Sequence, residues 1–364
     1  MIKSEIKPLT GIRTVAALWV VFYHLRPQME ESFPHCIRFI KPLISQGYLG
    51  VDLFFILSGF IIHYNYSERL APFHLSGYGE YLWMRLARIW PVHMAILLLY
   101  GFVLVTANAW SIHPAHQDLY SCRSFLWNVI LVHAWSIPIV VSWNAPAWSI
   151  SCEWLVYLLF PLFLLFKLNK FRPSYLLLCV CIALIGTPIV CDYCHSDGNA
   201  AYGIIRVIGE FFGGCGLCLM YRLGIARDFR WQLYVPLTLF AMIAILYFGV
   251  PSLGLNGFWC IPFLGAIVIG LAHDRGLVAR FFSMKLMLWG GYISYSIYMV
   301  HAPCLIVIGY LKKYFHLSPH LEVLADLLVI ILMAALMFRW IEEPCRKAMR
   351  KAYPRHKQQP YPVI

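Results

Sequence analysis

Charge is what this chain has least of. Of 364 residues only 13% are Asp, Glu, Lys or Arg, and acids are the scarcer kind, 17 against 29. Ordinary soluble domains carry about 25% charged residues, so a soluble globular class is excluded. Long hydrophilic stretches are missing too, which leaves no room for a second, water-soluble domain. No P-loop, H-E-x-x-H or G-x-S-x-G occurs. ATP-driven transport, zinc-protease chemistry and the hydrolase elbow are therefore unsupported. Nor does the N-terminal region pair a short apolar run with a small-residue cleavage site, so the first apolar run is expected to stay. No internal repeat or low-complexity region is visible.

What is present is apolar: 61% hydrophobic and 16% aromatic residues, with a mean hydropathy of +0.69. The expected fold is all-α, a polytopic membrane protein of about ten transmembrane helices in one bundle. Runs long enough to cross roughly 30 Å of hydrocarbon lie near 8–26, 48–66, 90–108, 148–168, 174–192, 202–221, 231–249, 257–273, 287–310 and 321–341. An eleventh, 124–142, is apolar but interrupted by Asn128, His133 and Pro138. With that stretch re-entrant or interfacial and the N-terminus inside, about 22 of the 29 Lys and Arg fall on the cytoplasmic side. If it crossed, every later basic loop would turn outward. Ten spans with both termini cytoplasmic are therefore expected, with Lys312 and Lys313 the misfit on the outside. The division is a transmembrane domain over 1–344 and a basic cytoplasmic tail over 345–364.

The formal charge of +12 does not indicate nucleic acid, because the basic residues sit between apolar runs, where membrane topology puts them. Twelve cysteines are scattered, many within apolar runs where they pack as small hydrophobes. "CDYCH", from Cys191 to His195, has the c-type haem spacing. It lies in a short loop with no haem-sized domain after it, so a loop disulfide or free thiols fit better. No metal site and no permanently bound cofactor are expected.

Ionisable residues inside apolar runs point to function, because burying them in hydrocarbon is expensive. The first run, "GIRTVAALWVVFYHL", holds Arg13 and His24 eleven residues apart. On a helix they share a face to within about 20° and are separated by about 16 Å. Alone, a snorkelling arginine and an interfacial histidine would explain them. Asp52, in "GYLGVDLFF", and Glu153, in "PAWSISCEWLVYLLFP", fall in the same outer half as His24. A histidine beside a carboxylate is a general base with its orienting partner, although a helix-packing polar network is the alternative. Arg85 and Arg88 form an i,i+3 cationic face suited to phosphates, or to topology and lipid headgroups. Tyr295 and His301 in "GGYISYSIYMVH" are candidate cavity groups; Arg206 and Glu210, four apart, read as a mutually neutralising pair, and "GGCG" at 213–216 as close helix packing.

These motifs, in this order, resemble the acyltransferase-3 family of bacterial integral-membrane acyltransferases. "GIRTVAALWVVFYH" is similar to its R-x10-H opening, "GVDLFFILSGF" to G-V-x-x-F-F-x-L-S-G-F, and "RLAR" to R-x-x-R. "PAWSISCEWLVYLLFP", "ISYSIYMVH" and "WIEEP" are similar to three further family stretches. Glu343, Cys152 and Trp154 depart from the usual residues at their positions.

The resemblance implies an O-acyltransferase of the kind that moves acetyl from cytoplasmic acetyl-CoA to a hydroxyl of an extracytoplasmic glycan. Arg13 and His24 match the family's functional pair, Arg85 and Arg88 its donor-handling arginines, and Glu153 and Glu342 acidic motif positions. The resulting expectation is His24, Asp52 and Glu153 as catalytic residues, Arg13, Arg85 and Arg88 as donor-binding, and Tyr295, His301, Trp148 and Glu342 as cavity-lining. Partners would be acyl-CoA, a glycan or lipid-linked glycan acceptor and membrane lipid, in the bacterial inner membrane. Many relatives carry a further extracytoplasmic SGNH domain that this chain lacks, so transfer is expected to be completed here or by a partner. Succinyl as donor group, a small-molecule acceptor, direct transfer against an acyl-histidine, and a transporter of glycan or small acid remain open alternatives.

Overall fold

The computed structural model describes residues 4–110, 117–137, 139–194, 202–249, 257–273, 275–311 and 318–353. Pro138, His195, Lys312, Lys313 and residues 354–364 of the basic C-terminal stretch lie outside the described residues. Among the described residues there is no strand, and nine helices are long and apolar enough to cross a membrane. A tenth apolar helix, Gly257–His273, is shorter. These ten coincide with the ten apolar runs of the sequence.

The helices are α1 (Lys7–Ser32), α2 (Pro34–Ile44), α3 (Leu49–Tyr66), α4 (Leu75–Ala109), α5 (Cys122–Val129), α6 (Trp148–Leu165) and α7 (Pro173–Tyr193). They continue as α8 (Gly203–Arg222), α9 (Trp231–Ala244), α10 (Ile261–His273), α11 (Leu277–Phe282), α12 (Lys285–Leu311), α13 (Pro319–Met337) and α14 (Glu343–Ala352). The interior is built on α1 packed between α3 and α12, with α8 against the far side of α3. Small residues allow these backbones to meet. Gly59 of α3 lies on the Phe211 carbonyl and Gly214 of α8 on the Ile56 carbonyl, so a methyl group at either would overlap main chain. Gly290 and Gly291 of α12 lie likewise against Thr14 and Thr10 of α1. Lipid tails are as apolar as leucine, so close van der Waals contact of this kind is what binds membrane helices. The glycines at 213–216 thus serve packing, as their sequence suggested.

The ambiguous stretch at 124–142 does not cross. α5 is only eight residues long, and the chain after it takes left-handed conformations at Leu131 and Trp143. Irregular backbone at membrane depth needs partners for its carbonyls, and α4 and α6 provide them. His93 Nε2 donates to the Asn128 carbonyl at 2.9 Å and Trp90 Nε1 to Val129 at 3.0 Å. Ser151 Oγ donates to the Leu131 carbonyl at 2.8 Å. The described part of the basic C-terminal stretch is also folded: after a single π-helical turn at Phe338–Glu342, α14 packs on α4, with Trp83 Nε1 donating to the Met349 carbonyl at 2.7 Å. Cys191 and Cys194, on the last turn of α7, are both free thiols.

One ion pair sits inside the bundle. Arg206, in the first turns of α8, donates from Nε and Nη2 to the two oxygens of Asp52 at 2.9 Å each, and both residues are fully buried. The guanidinium lies between the rings of Trp148 and Phe258, 5.3 and 4.8 Å from its carbon. The i,i+4 pairing of Arg206 with Glu210 is therefore not the principal one. A bidentate fork needs a carboxylate approaching in the guanidinium plane, and Asp52 on the facing helix does so, whereas Glu210 lies beside the pair, fully buried. Removing one partner of a buried pair costs about 3–5 kcal/mol. Arg206→Leu, which strands two carboxyls, is expected to lose at least that much. Asp52→Asn, which leaves Arg206 beside Glu210, should lose less. Unfolding in detergent micelles measures both; equal losses would show that Glu210 contributes nothing.

Candidate active site

A narrow cavity of about 100 Å³ runs through the middle of the bundle. One face of α3 lines it: Val51, Phe54, Phe55, Ser58, Ile61 and Ile62 recur at helical spacing. Eleven residues separate the first and last of these, so the cavity extends about 16 Å along the bundle axis. α1, α4, α6, α12 and α14 supply its polar groups.

At the end where α1 begins stand four arginines: Arg13, Arg85, Arg88 and, from α14, Arg350. Arg88 is engaged, ion-paired with buried Glu342, which also accepts from Ser296 Oγ at 2.6 Å. Arg85 donates to the Tyr66 hydroxyl at 2.8 Å and lies over its ring. The Nε atoms of Arg13, Arg85 and Arg350 have no hydrogen-bond partner. Three guanidiniums with unused donors converging on one cavity form a site for a multiply charged anion such as a phosphorylated ligand. Glu342 braces Arg88 from behind and does not itself line the cavity.

Midway up, Glu153 lines the cavity. Its carboxylate accepts from the Tyr157 hydroxyl at 2.5 Å, and that hydroxyl is 3.1 Å from Ser58 Oγ. Tyr295, whose hydroxyl is bonded to the Ile89 carbonyl, and Tyr298 form the wall contributed by α12. Trp148, expected in the lining, is instead part of the clamp on Arg206.

The outer end continues through aromatic rings. Tyr298 is 5.8 Å from the ring of His301, and His301 is 4.8 Å from the ring of His24. His301 is fully buried, whereas His24 is exposed. His24 Nδ1 is 2.9 Å from the Val20 carbonyl, and His301 Nδ1 is 2.5 Å from the Tyr298 carbonyl. A carbonyl only accepts, so each Nδ1 carries the hydrogen, and in the neutral rings each Nε2 keeps a lone pair. Nε2 is thus the basic nitrogen of His24.

His301, expected in the lining, stands beyond it next to Tyr298, and two further expectations change on this geometry. Asp52 does not orient His24, because Arg206 holds both of its carboxylate oxygens. Glu153 does not orient it either, being bonded to Tyr157 beside the arginines. The Val20 carbonyl does that work from within α1. Sequence reasoning missed Arg350, Tyr157, Ser58 and Ser149, the last lining the cavity with its hydroxyl 2.7 Å from that of Tyr298. Tyr157 stands four residues after Glu153, a spacing visible in the sequence; Arg350 gave no signal apart from general basicity. Among the described residues, no cluster of His, Cys, Asp and Glu has the arrangement to hold a metal ion.

A family-wide profile for an acyltransferase domain matches residues 6–339. The O-acetyltransferase OatA of Staphylococcus aureus (strain NCTC 8325 / PS 47) is 27% identical over 95% of this chain and 58% of its own length. The chain therefore spans little more than half of that relative. The acyltransferase MdmB of Streptomyces mycarofaciens is 24% identical over 95% of this chain and 93% of its own. No solved structure matches. With the profile matched along nearly the whole chain, the protein belongs to the acyltransferase-3 family.

Proposed function

We propose that the protein is a membrane-bound O-acyltransferase that moves acetyl from cytoplasmic acetyl-CoA to a hydroxyl of an extracytoplasmic surface glycan. The observation that carries this reading is one cavity with arginines that keep unused Nε donors at one end and the His301–His24 pair beyond the other. Acyl-CoA has the matching form, a polyanionic nucleotide followed by a long, thin arm that ends in a thioester. Arg13, Arg85 and Arg350 would hold the phosphates, with Arg88 kept in place by Glu342. The arm would run along the α3 face, past Glu153 and Tyr157, towards Tyr298. Its length along the axis suits an extended chain of methylenes and amides.

Transfer then needs one base. His24 Nε2 takes the proton of the acceptor hydroxyl as its oxygen attacks the thioester carbonyl. The tetrahedral intermediate collapses with breakage of the C–S bond, and the departing thiolate takes the proton back from His24. The products are an acetyl ester and free CoA, and His24 is neutral again. His301 supports the ring of His24 and is a positioning residue. The setting is the bacterial cytoplasmic membrane with both termini inside, the orientation that the basic loops favour. OatA and MdmB, by their names, transfer acyl groups, and the first is an O-acetyltransferase.

The experiment is mass spectrometry of O-acetyl groups on the host's surface glycans in a deletion strain complemented with wild type or variants expressed equally. Acetyl lost in the deletion, restored by wild type and absent with His24→Ala is the expected result. In membranes, loss of the base should lower turnover by about 10²–10⁴-fold. Acetylation unchanged in all strains would reject the glycan acceptor. Arg85→Ala and Arg350→Ala should each raise KM for acetyl-CoA about tenfold or more while changing kcat less. A fall in kcat with KM unchanged would remove these arginines from donor binding.

A further inference from the structure

A second cavity opens at the end of the bundle where His24 lies, between α5, the irregular chain after it and the start of α6. At about 450 Å³ it is far wider than the central bore and within the range of roughly 300–1,000 Å³ usual for small-ligand sites. We propose that this cavity is the saccharide-binding site for the acceptor, accommodating a neutral sugar unit between Trp127 and Trp135. The proposal rests on the reading of the protein as a glycan O-acyltransferase and assigns the acceptor a place separate from the donor bore.

Its lining has the chemistry that recognises sugars. Trp127 and Trp135 are 44% and 36% exposed and border the same concavity. Indole faces stack on the C–H faces of pyranose rings, and hydroxyls bond the ring substituents. Ser124, Ser136, Ser142 and His133 complete the polar lining, and no Asp, Glu, Lys or Arg is among the lining residues. A multiply charged donor finds nothing to pair with here.

The polar groups are held from behind. Fully buried Asn128 donates to Ser142 Oγ at 2.9 Å and to the Ser124 carbonyl at 2.9 Å. Ser142 therefore accepts one bond and keeps its own hydroxyl hydrogen to donate. Trp135 is fixed by its Nε1, which donates to the Ser151 carbonyl at 2.9 Å. An aromatic belt at a membrane interface also exposes tryptophans, but belt residues need no shared concavity and no serines braced by a buried amide.

The cavity is also joined to the reacting end. The segment 142–147 carries Ser142 in the cavity wall, and its Ala147 carbonyl accepts from His133 Nε2 at 3.2 Å. On its other side it holds α12: the Tyr298 hydroxyl donates to the Pro146 carbonyl at 2.9 Å, and Asn144 Nδ2 to Met299 at 3.2 Å. One short strip of chain thus separates the wide cavity from the Tyr298–His301–His24 file. An acceptor seated by one sugar in the cavity would extend its neighbouring unit towards His24.

The test uses the full chain in nanodiscs, fluorescently labelled, on an array of neutral and acidic oligosaccharides, with acetyl-CoA binding followed separately by equilibrium dialysis. Wild type should bind neutral saccharides, and Trp127→Ala should weaken that binding about tenfold with acetyl-CoA binding unchanged. Trp135→Phe, which keeps an aromatic face, should retain most of it. Absence of neutral-saccharide binding, or equal binding by wild type and Trp127→Ala, overturns the proposal. Trp127-dependent saccharide binding by a protein that does not bind acetyl-CoA supports the cavity and instead overturns the acetyl-CoA donor.

Discussion

A guanidinium without water is the constraint around which this bundle is arranged. Arg206 is fully buried among apolar helices, where an unpaired charge is prohibitively expensive. Its fork therefore requires a carboxylate in its plane, and Asp52 has to arrive from another helix. That requirement holds α3 to α8 at a distance only glycines allow, and the contacts at Gly59 and Gly214 follow from it. Trp148 and Phe258 close over the pair and bring the start of α6 and the short helix before α10 with them. Once α3 is fixed, its opposite face is free to line the bore.

The bore in turn separates two kinds of chemistry. One end gathers positive charge and leaves several donors unused; beyond the other lie two imidazole rings held by main-chain carbonyls. The two groups lie at opposite ends of a cavity that extends about 16 Å along the axis. Glu342, placed by the π-helical turn where α13 passes into α14, ties Arg88 down and leaves the remaining arginines available.

Much of this could be read from the sequence because helices convert spacing into direction. Arg13 and His24, eleven residues apart on α1, lie as that spacing suggests: Arg13 lines the cavity and His24 stands beyond its other end, next to His301. The ten spans were legible from hydropathy, and charge asymmetry correctly kept 124–142 from crossing. Partnerships between helices were not legible. Asp52 lies at about the right depth to serve His24, but depth does not reveal azimuth, and azimuth gives it to Arg206. Glu210 stands at the local i,i+4 spacing from the same arginine, and a bidentate partner from another helix took precedence. Arg350 was read as part of a basic tail, because nothing local tells a helix folded back on α4 from a disordered cationic strip.

The bond from His24 Nδ1 to its own helix has a consequence for covalent chemistry. An imidazole acylated on Nε2 becomes a stable neutral species only by releasing the proton on its other nitrogen. Here that proton is held by the Val20 carbonyl, with no carboxylate from Asp52 or Glu153 beside it to receive it. An acyl group on this ring would stay cationic and short-lived. On the acyl-transfer reading proposed above, the anchored tautomer therefore fits a fixed base better than a covalent carrier.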